Sequence, residues 1–142
     1  MANGLFDPGR EGFLLAEIDW DTAVIKAALV RGYTFVATHK FVSDLTTAGG
    51  TLHATSAALT SKSGAAGVAN AASVTFAAVA ANAGGHSILL FQSSAVGGGA
   101  DVAASAQRLI AWIDTGTNLP VTPNGGDITV NWDTGTNKIF KL

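Results

Sequence analysis

The sequence predicts a mainly β fold, either an antiparallel β-sandwich or a jelly-roll-like barrel, with one short helix. Several short segments alternate between apolar and polar residues at every second position, which is the period of a half-buried strand. Clusters of glycine, asparagine and proline separate these segments at short intervals, as is typical of sandwiches and barrels. The 142 residues are enough for one domain with its own core.

The N-terminal region is predicted to be an arm that precedes the domain. Residues 1–12 are rich in turn-forming residues and have only Leu5 and Phe6 as apolar anchors, so we expect an extended segment. The single β-rich domain then covers residues 13–142. The arm, together with Phe13, is a candidate to lie along a neighbouring subunit, and the alternative is a disordered terminus.

The first half of the domain is predicted to contain two strands and a helical turn. Apolar and polar residues alternate over residues 14–21 and again over residues 25–29, so each segment is expected to form a half-buried strand. A helical turn is expected over residues 38–45, because Phe41 and Leu45 lie four residues apart and would share one face.

The rest of the chain is expected to be all-β. A terminus that ends on apolar residues is typical of a segment held in a sheet. The glycines at 97–99 are interpreted as a flexible hairpin connection, because the Gly-Lys-Ser/Thr of a phosphate-binding loop is missing. The predicted strands cover residues 51–59, 74–78, 88–91, 109–113, 128–132 and 139–142.

The sequence is poor in ionic side chains. Only 13% of its residues are charged, with 8 Lys and Arg against 10 Asp and Glu, whereas about 25% is typical of soluble domains. It contains no basic run, so a nucleic-acid partner is not expected. The uncharged segment 63–100 consists mainly of small residues interrupted by glycine, so a membrane span is not expected either.

This composition favours assembly into a larger object. A soluble monomer normally covers a quarter to a third of its surface with charged side chains. Small neutral side chains allow close approach and lose little entropy when they are immobilised. We therefore expect packing against copies of the same chain or against a larger lattice, and the alternative is a monomer whose loops are small and neutral.

One short motif suggests chemistry. Asp-Thr-Gly occurs at Asp114 and again at Asp133, and in aspartic proteases two such loops bring two carboxylates together. Here the two copies stand about one hairpin apart, and Asp followed by Gly also closes ordinary turns. Turn formation is the preferred interpretation.

No catalytic, cofactor-binding or metal-binding residue is predicted, and an enzyme is not expected. The three histidines, His39, His53 and His86, are widely spaced and none adjoins a carboxylate at metal-ligand spacing. The absence of cysteine excludes thiolate zinc sites and disulfides.

The tryptophans are the remaining candidates for recognition. Trp20 and Trp132 are in phase with apolar neighbours, which predicts core positions. Trp112 is out of phase with its neighbours and is therefore a candidate to face a partner or to stack on a sugar. With Leu5, Phe6 and Phe13 it completes the set of predicted partner-binding residues.

Nearly the whole chain, from about residue 12 to residue 142, shows a characteristic order of packing and turn segments. The segments are Ile-Asp-Trp-Asp at 18–21, the apolar run at 25–30, Thr-His-Lys-Phe-Val-Ser-Asp-Leu at 38–45, the strand ending in Trp-Ile-Asp at 109–114, Asn-Gly-Gly-Asp-Ile at 124–128 and the closing Ile-Phe-Lys-Leu at 139–142. In this order the sequence resembles small virion structural proteins of tailed bacteriophages, of the head decoration type.

The resemblance implies a non-enzymatic capsid decoration protein that binds and stabilises the head shell. Its expected partners are the major capsid protein and copies of itself, with a homotrimer as one form of this self-association. Its expected location is the outer capsid surface after synthesis in the host bacterial cytoplasm. Two alternatives stay open: a tail- or fibre-associated structural protein, and a carbohydrate-binding module on the virion surface that uses an exposed Trp112.

Overall fold

The protein is a mainly β, antiparallel structure, as predicted. The computed structural model describes residues 3–142, with 36% of the chain in strands and 10% in helices. Every strand pairing among the described residues is antiparallel. The sheets do not close on themselves, so the architecture is a sandwich rather than a barrel.

The described residues contain two helices, where one was predicted, and twelve strands. The helices are α1 (Asp7–Leu14) and α2 (Val42–Thr47). The strands are β1 (Gly4–Leu5), β2 (Ile25–Arg31), β3 (Thr51–Thr55), β4 (Ser63–Ala65), β5 (Val68–Asn70), β6 (Val74–Phe76), β7 (Ser87–Gln92), β8 (Ser94–Ala95), β9 (Gly98–Asp101), β10 (Arg108–Ile113), β11 (Ile128–Val130) and β12 (Phe140–Lys141).

A five-stranded sheet of order β1-β10-β7-β2-β3 forms the centre of the molecule. All six residues of its middle strand β7 are buried. Such a strand is covered on both faces, which explains why its sequence is a continuous apolar run instead of an alternating one.

Two separate apolar clusters cover the two faces of this sheet. Leu89 and Phe91 of β7 point into the first cluster, which lies under α2 and the segment 33–35. Ile88 and Leu90 point into the second cluster, which the smaller sheets β12-β5-β4 and β11-β6 complete. The opposite faces of one strand therefore serve two cores.

The N-terminal segment belongs to the domain, and the prediction of an extended arm is wrong for residues 7–12. β1 pairs with β10, the side chain of Phe6 is fully buried, and α1 follows directly. Asp7 in the first turn and a proline at the helix start both favour a helix here. Residues 1 and 2 of the predicted arm lie outside the described residues.

The predicted strand over residues 14–21 is also wrong, because α1 ends at Leu14 and a series of turns follows. Asp19 makes one of these turns, since its carboxylate accepts the backbone N–H groups of Asp21 and Thr22 and the hydroxyl of Thr22. These hydrogen bonds, led by the one from the Thr22 hydroxyl, lower the pKa of Asp19.

The helix predicted near residue 40 is present as α2 and begins four residues later than expected. The Asp44 carboxylate accepts the backbone N–H groups of Lys40 and Phe41, each at 2.9 Å, and so satisfies donors that precede the helix. The bond from Phe41 is the main cause of the lowered pKa of Asp44. Leu45 is buried in the first cluster, as its spacing predicted.

Most of the strands predicted after residue 50 are confirmed, although several are shorter. The hairpin around the glycines at 97–99 is present as β8 and β9. β4 and β5 were not predicted, because their short stretches of Ser, Gly, Ala, Val and Asn give no alternating pattern. The confirmed strands in this part of the chain are β3, β6, β7, β10, β11 and β12; the earlier strand predicted over residues 25–29 is also present, as β2.

Gly9 allows α1 to lie against β10. A Cβ atom at this position would stand 2.8 Å from the backbone oxygen of Leu109, which cannot move without disturbing the sheet. In an exposed helix Gly→Ala stabilises by about 1 kcal/mol, but here we expect Gly9→Ala to lower the free energy of unfolding by about 1–3 kcal/mol. Urea denaturation measures it.

Gly97→Ala is the matched control, because nothing lies within 4 Å of the added Cβ. Its free energy of unfolding should stay within about 0.5 kcal/mol of the wild type. If Gly9→Ala is as stable as this control, the close packing of α1 on β10 is incorrect.

Candidate functional site

Two of the four predicted partner-binding residues are core residues. Phe6 is 0% exposed and Trp112 is 3% exposed, and both lie in the first cluster. Phe35 packs on Phe6 with ring centroids 4.9 Å apart, and Tyr33 packs edge-on against Trp112 at 5.1 Å. Because the segment 33–35 covers this face of the sheet, neither side chain can form a surface contact.

The other two predicted residues are half-buried. Leu5 and Phe13 both pack against the second cluster. The ring of Phe13 lies 5.9 Å from that of Phe140, which belongs to the last strand β12. These residues join the N-terminal segment to the domain.

Trp112 is therefore expected to act on stability and not on recognition. Its indole N–H donates to the Asp114 carboxylate at 3.2 Å, so the ring also fixes the start of the following loop. Trp112→Ala should lower the free energy of unfolding by about 3–5 kcal/mol, as for other buried aromatic side chains. Trp112→Phe, which retains an aromatic ring, should cost clearly less in the same chemical denaturation. Equal stability of Trp112→Ala and the wild type would contradict the buried position.

The most exposed large apolar side chains lie just after the predicted arm. Leu14 is 86% exposed and Leu15 is 58% exposed, at the end of α1. We call these two residues the leucine patch. Sequence reasoning missed them because Leu14 was assigned to the buried face of a predicted strand. Phe13, Leu14 and Leu15 are consecutive, and when Phe13 packs inward the two leucines remain at the surface.

A buried arginine forms hydrogen bonds on both sides of the leucine patch, to a backbone carbonyl before it and to a side-chain carboxylate after it. Arg108 of β10 is 5% exposed, and its guanidinium donates to the Glu17 carboxylate and, at 2.6 Å, to the carbonyl oxygen of Pro8. The bond from Arg108 is the main cause of the lowered pKa of Glu17. The patch is thus displayed on a fixed turn between two tethered points.

A cleft of about 550 Å³ lies beside β11 and the end of β10. Its floor includes Leu29 and Ile88, which are nearly fully buried side chains of the central sheet. Its walls carry half-buried apolar side chains below and exposed polar side chains above. We call it the loop cleft; its lining residues are Asn3, Leu29, Ile88, Ile113, 115–119, Val121, 128–133, Lys138 and Ile139.

The two Asp-Thr-Gly copies both contribute to this region, and their carboxylates serve the loops themselves. Asp133 Oδ1 accepts the backbone N–H of Gly135 at 3.2 Å, which is a local turn bond. Asp114 accepts the Trp112 indole N–H, and its own backbone N–H donates to the Asn3 side chain at 2.9 Å. These contacts support the turn interpretation of both copies.

None of the three histidines lines the loop cleft; their rings contact backbone carbonyls and aromatic rings. His86 is fully buried, its Nδ1 is 3.0 Å from the Gly84 carbonyl oxygen, and its Nε2 has no partner. His53 lies against it with ring centroids 5.1 Å apart and contacts the Ala80 carbonyl oxygen at 2.8 Å. Within residues 3–142 no cluster of three or more His, Asp or Glu side chains could hold a metal ion.

Neither family models nor curated protein sequences provide a match for this chain. In the described part of the chain, no helix is both long enough and apolar enough to cross a bilayer. Function therefore has to be inferred from the chain's own residues and surface.

Proposed function

We propose that the protein is a non-enzymatic structural component of a tailed-phage virion, namely a decoration protein that binds and stabilises the outside of the head shell. The observation that carries this proposal is the leucine patch. Isolated surface leucines are common, but two adjacent ones held outward on a fixed turn form a contact surface that favours burial by a partner. The major capsid protein is the partner that the sequence resemblance implies.

The composition of the exposed surface supports the same proposal. No charged residue occurs in the segment 63–100, and its exposed positions are occupied by Ala, Gly, Ser and Thr with a single Val96. Such side chains lose little or no rotamer entropy when they are immobilised. A surface of this kind can be covered by neighbouring subunits at low cost, which fits self-association on a shell.

Weak individual contacts are sufficient for a decoration protein. Copies arranged by the symmetry of a shell, or as a small oligomer with several contact points, bind with an avidity that exceeds that of one contact. The leucine patch and the neutral surface supply two kinds of contact, one apolar and one small and polar. The proposed location is accordingly the outer surface of the virion head.

The direct test is binding of the purified protein to expanded heads of the phage that encodes it. Burial of one leucine contributes about 1.5–3 kcal/mol, so the double variant Leu14→Ser/Leu15→Ser should bind at least about tenfold more weakly in co-sedimentation. Leu142→Ser is the matched control, because Leu142 is another exposed leucine, 54% accessible, and lies outside the patch. It should bind like the wild type.

Two results would contradict the proposal. Binding of the double variant to heads with wild-type affinity would show that the leucine patch is not the contact. Co-sedimentation of the wild type with isolated tails, but not with heads, would replace the decoration function by the tail-associated alternative.

A further inference from the structure

We propose that the loop cleft is a binding site for a neutral saccharide. This inference concerns a different face of the molecule from the leucine patch and does not depend on attachment to a shell. It replaces the sequence expectation of sugar stacking on Trp112, which is buried. The aromatic side chain that lines the cleft is Trp132.

The size and layering of the loop cleft suit a small organic ligand. Its volume of about 550 Å³ lies within the range of about 300–1,000 Å³ that is usual for ligand pockets. An apolar floor with a polar rim matches the two surfaces of a sugar ring, which presents C–H groups on its faces and hydroxyl groups around its edge.

Trp132 has the geometry of a stacking residue. Its indole N–H donates to the Ala72 carbonyl oxygen at 2.9 Å, which fixes the orientation of the ring. The side chain is only half-buried, so part of its surface remains available to the cleft. An aromatic ring with one fixed polar end and an open apolar surface is suited to pack against the C–H face of a sugar.

The polar rim offers groups that match hydroxyls. Thr117, Asn118 and Asn131 are exposed side chains, and hydroxyl and amide groups both donate and accept hydrogen bonds. Asp133 also lines the cleft, and its Oδ1 accepts the backbone N–H of Gly135. Several such groups at one rim can orient a polyhydroxylated ligand.

The charge of the rim favours an uncharged ligand. Among the described residues that line the cleft, Lys138 is the sole cation and Asp133 the sole carboxylate. Their charges balance, so the cleft does not concentrate anions as a phosphate or nucleotide site does with several cations. A neutral saccharide matches all three properties of the cleft, namely its apolar floor, its polar rim and its lack of net charge.

The repeated sequence motif explains how the site is built. Residues 112–118 and 131–137 each contain a tryptophan and share the run Asp-Thr-Gly-Thr-Asn, and both loops supply lining residues. Asp133 closes its own turn by accepting the backbone N–H of Gly135, and the first loop supplies Thr115, Thr117 and Asn118 to the lining of the cleft.

The test uses the purified full chain and three neutral oligosaccharides, cellotriose, maltotriose and tri-N-acetylchitotriose, with a sulfated heparin tetrasaccharide as the acidic comparison. In a titration followed by ¹H–¹⁵N NMR, at least one neutral sugar should shift amide signals of residues 115–119 and 128–139. A single open site predicts a Kd of about 1 mM. Wild-type protein should bind the acidic sugar more weakly.

Two variants separate binding from folding. Asn131→Ala removes an exposed rim amide and should weaken sugar binding about tenfold, equivalent to one lost hydrogen-bonded contact. Asn137→Ala is the matched control, because Asn137 is also exposed but does not line the cleft. Its affinity should equal that of the wild type.

Three results would overturn the inference. The first is no shift in the cleft residues with any of the three neutral sugars at about 10 mM, well above the Kd expected for one such site. The second is an equal loss of binding in Asn131→Ala and Asn137→Ala. The third is tighter binding of the sulfated sugar than of every neutral one.

Discussion

Burial of both faces of the central sheet is the constraint on which the rest of the structure depends. Every residue of β7 is buried, and its side chains alternate between two clusters. One apolar layer is therefore not enough to bury the sheet, and other parts of the chain have to pack against each of its two faces. α2 with the segment 33–35 covers one face, and the small sheets formed largely by residues 63–76 and 128–141 cover the other. α1 lies against β10 and is tied to it by Arg108.

The need to bury both faces of the sheet also determines which side chains remain exposed. Aromatic and aliphatic side chains, including Phe6 and Trp112, pack into the two clusters, and the leucine patch is the most exposed of the few large apolar groups that stay at the surface. The loop cleft lies beside the end of β10, with the buried side chains of Leu29 and Ile88 beneath it. The leucine patch lies elsewhere, at the end of α1.

The sequence predicts the strands well where one physical signal is strong. The buried run in β7 and the alternation of Val74, Thr75 and Phe76 are both confirmed. It fails at α1, because Asp-Pro-Gly is equally compatible with a turn and with a helix start, and only packing against β10 decides between them. It also fails at Trp112, since phase with neighbours identifies two faces but cannot reveal that both are covered. The loop cleft could be anticipated only through the repeated loop motif, whose two copies approach through tertiary structure.

The most direct test of the doubly covered sheet is native-state hydrogen exchange. β7 is hydrogen-bonded to β10 on one side and to β2 on the other, and it is covered on both faces. Its amide protons, those of Leu89 and Leu90 in particular, should therefore exchange only through global unfolding, with the full free energy of unfolding measured by denaturant. Exchange of these two amides at rates similar to those of the exposed loop residues 116–118 would contradict the account.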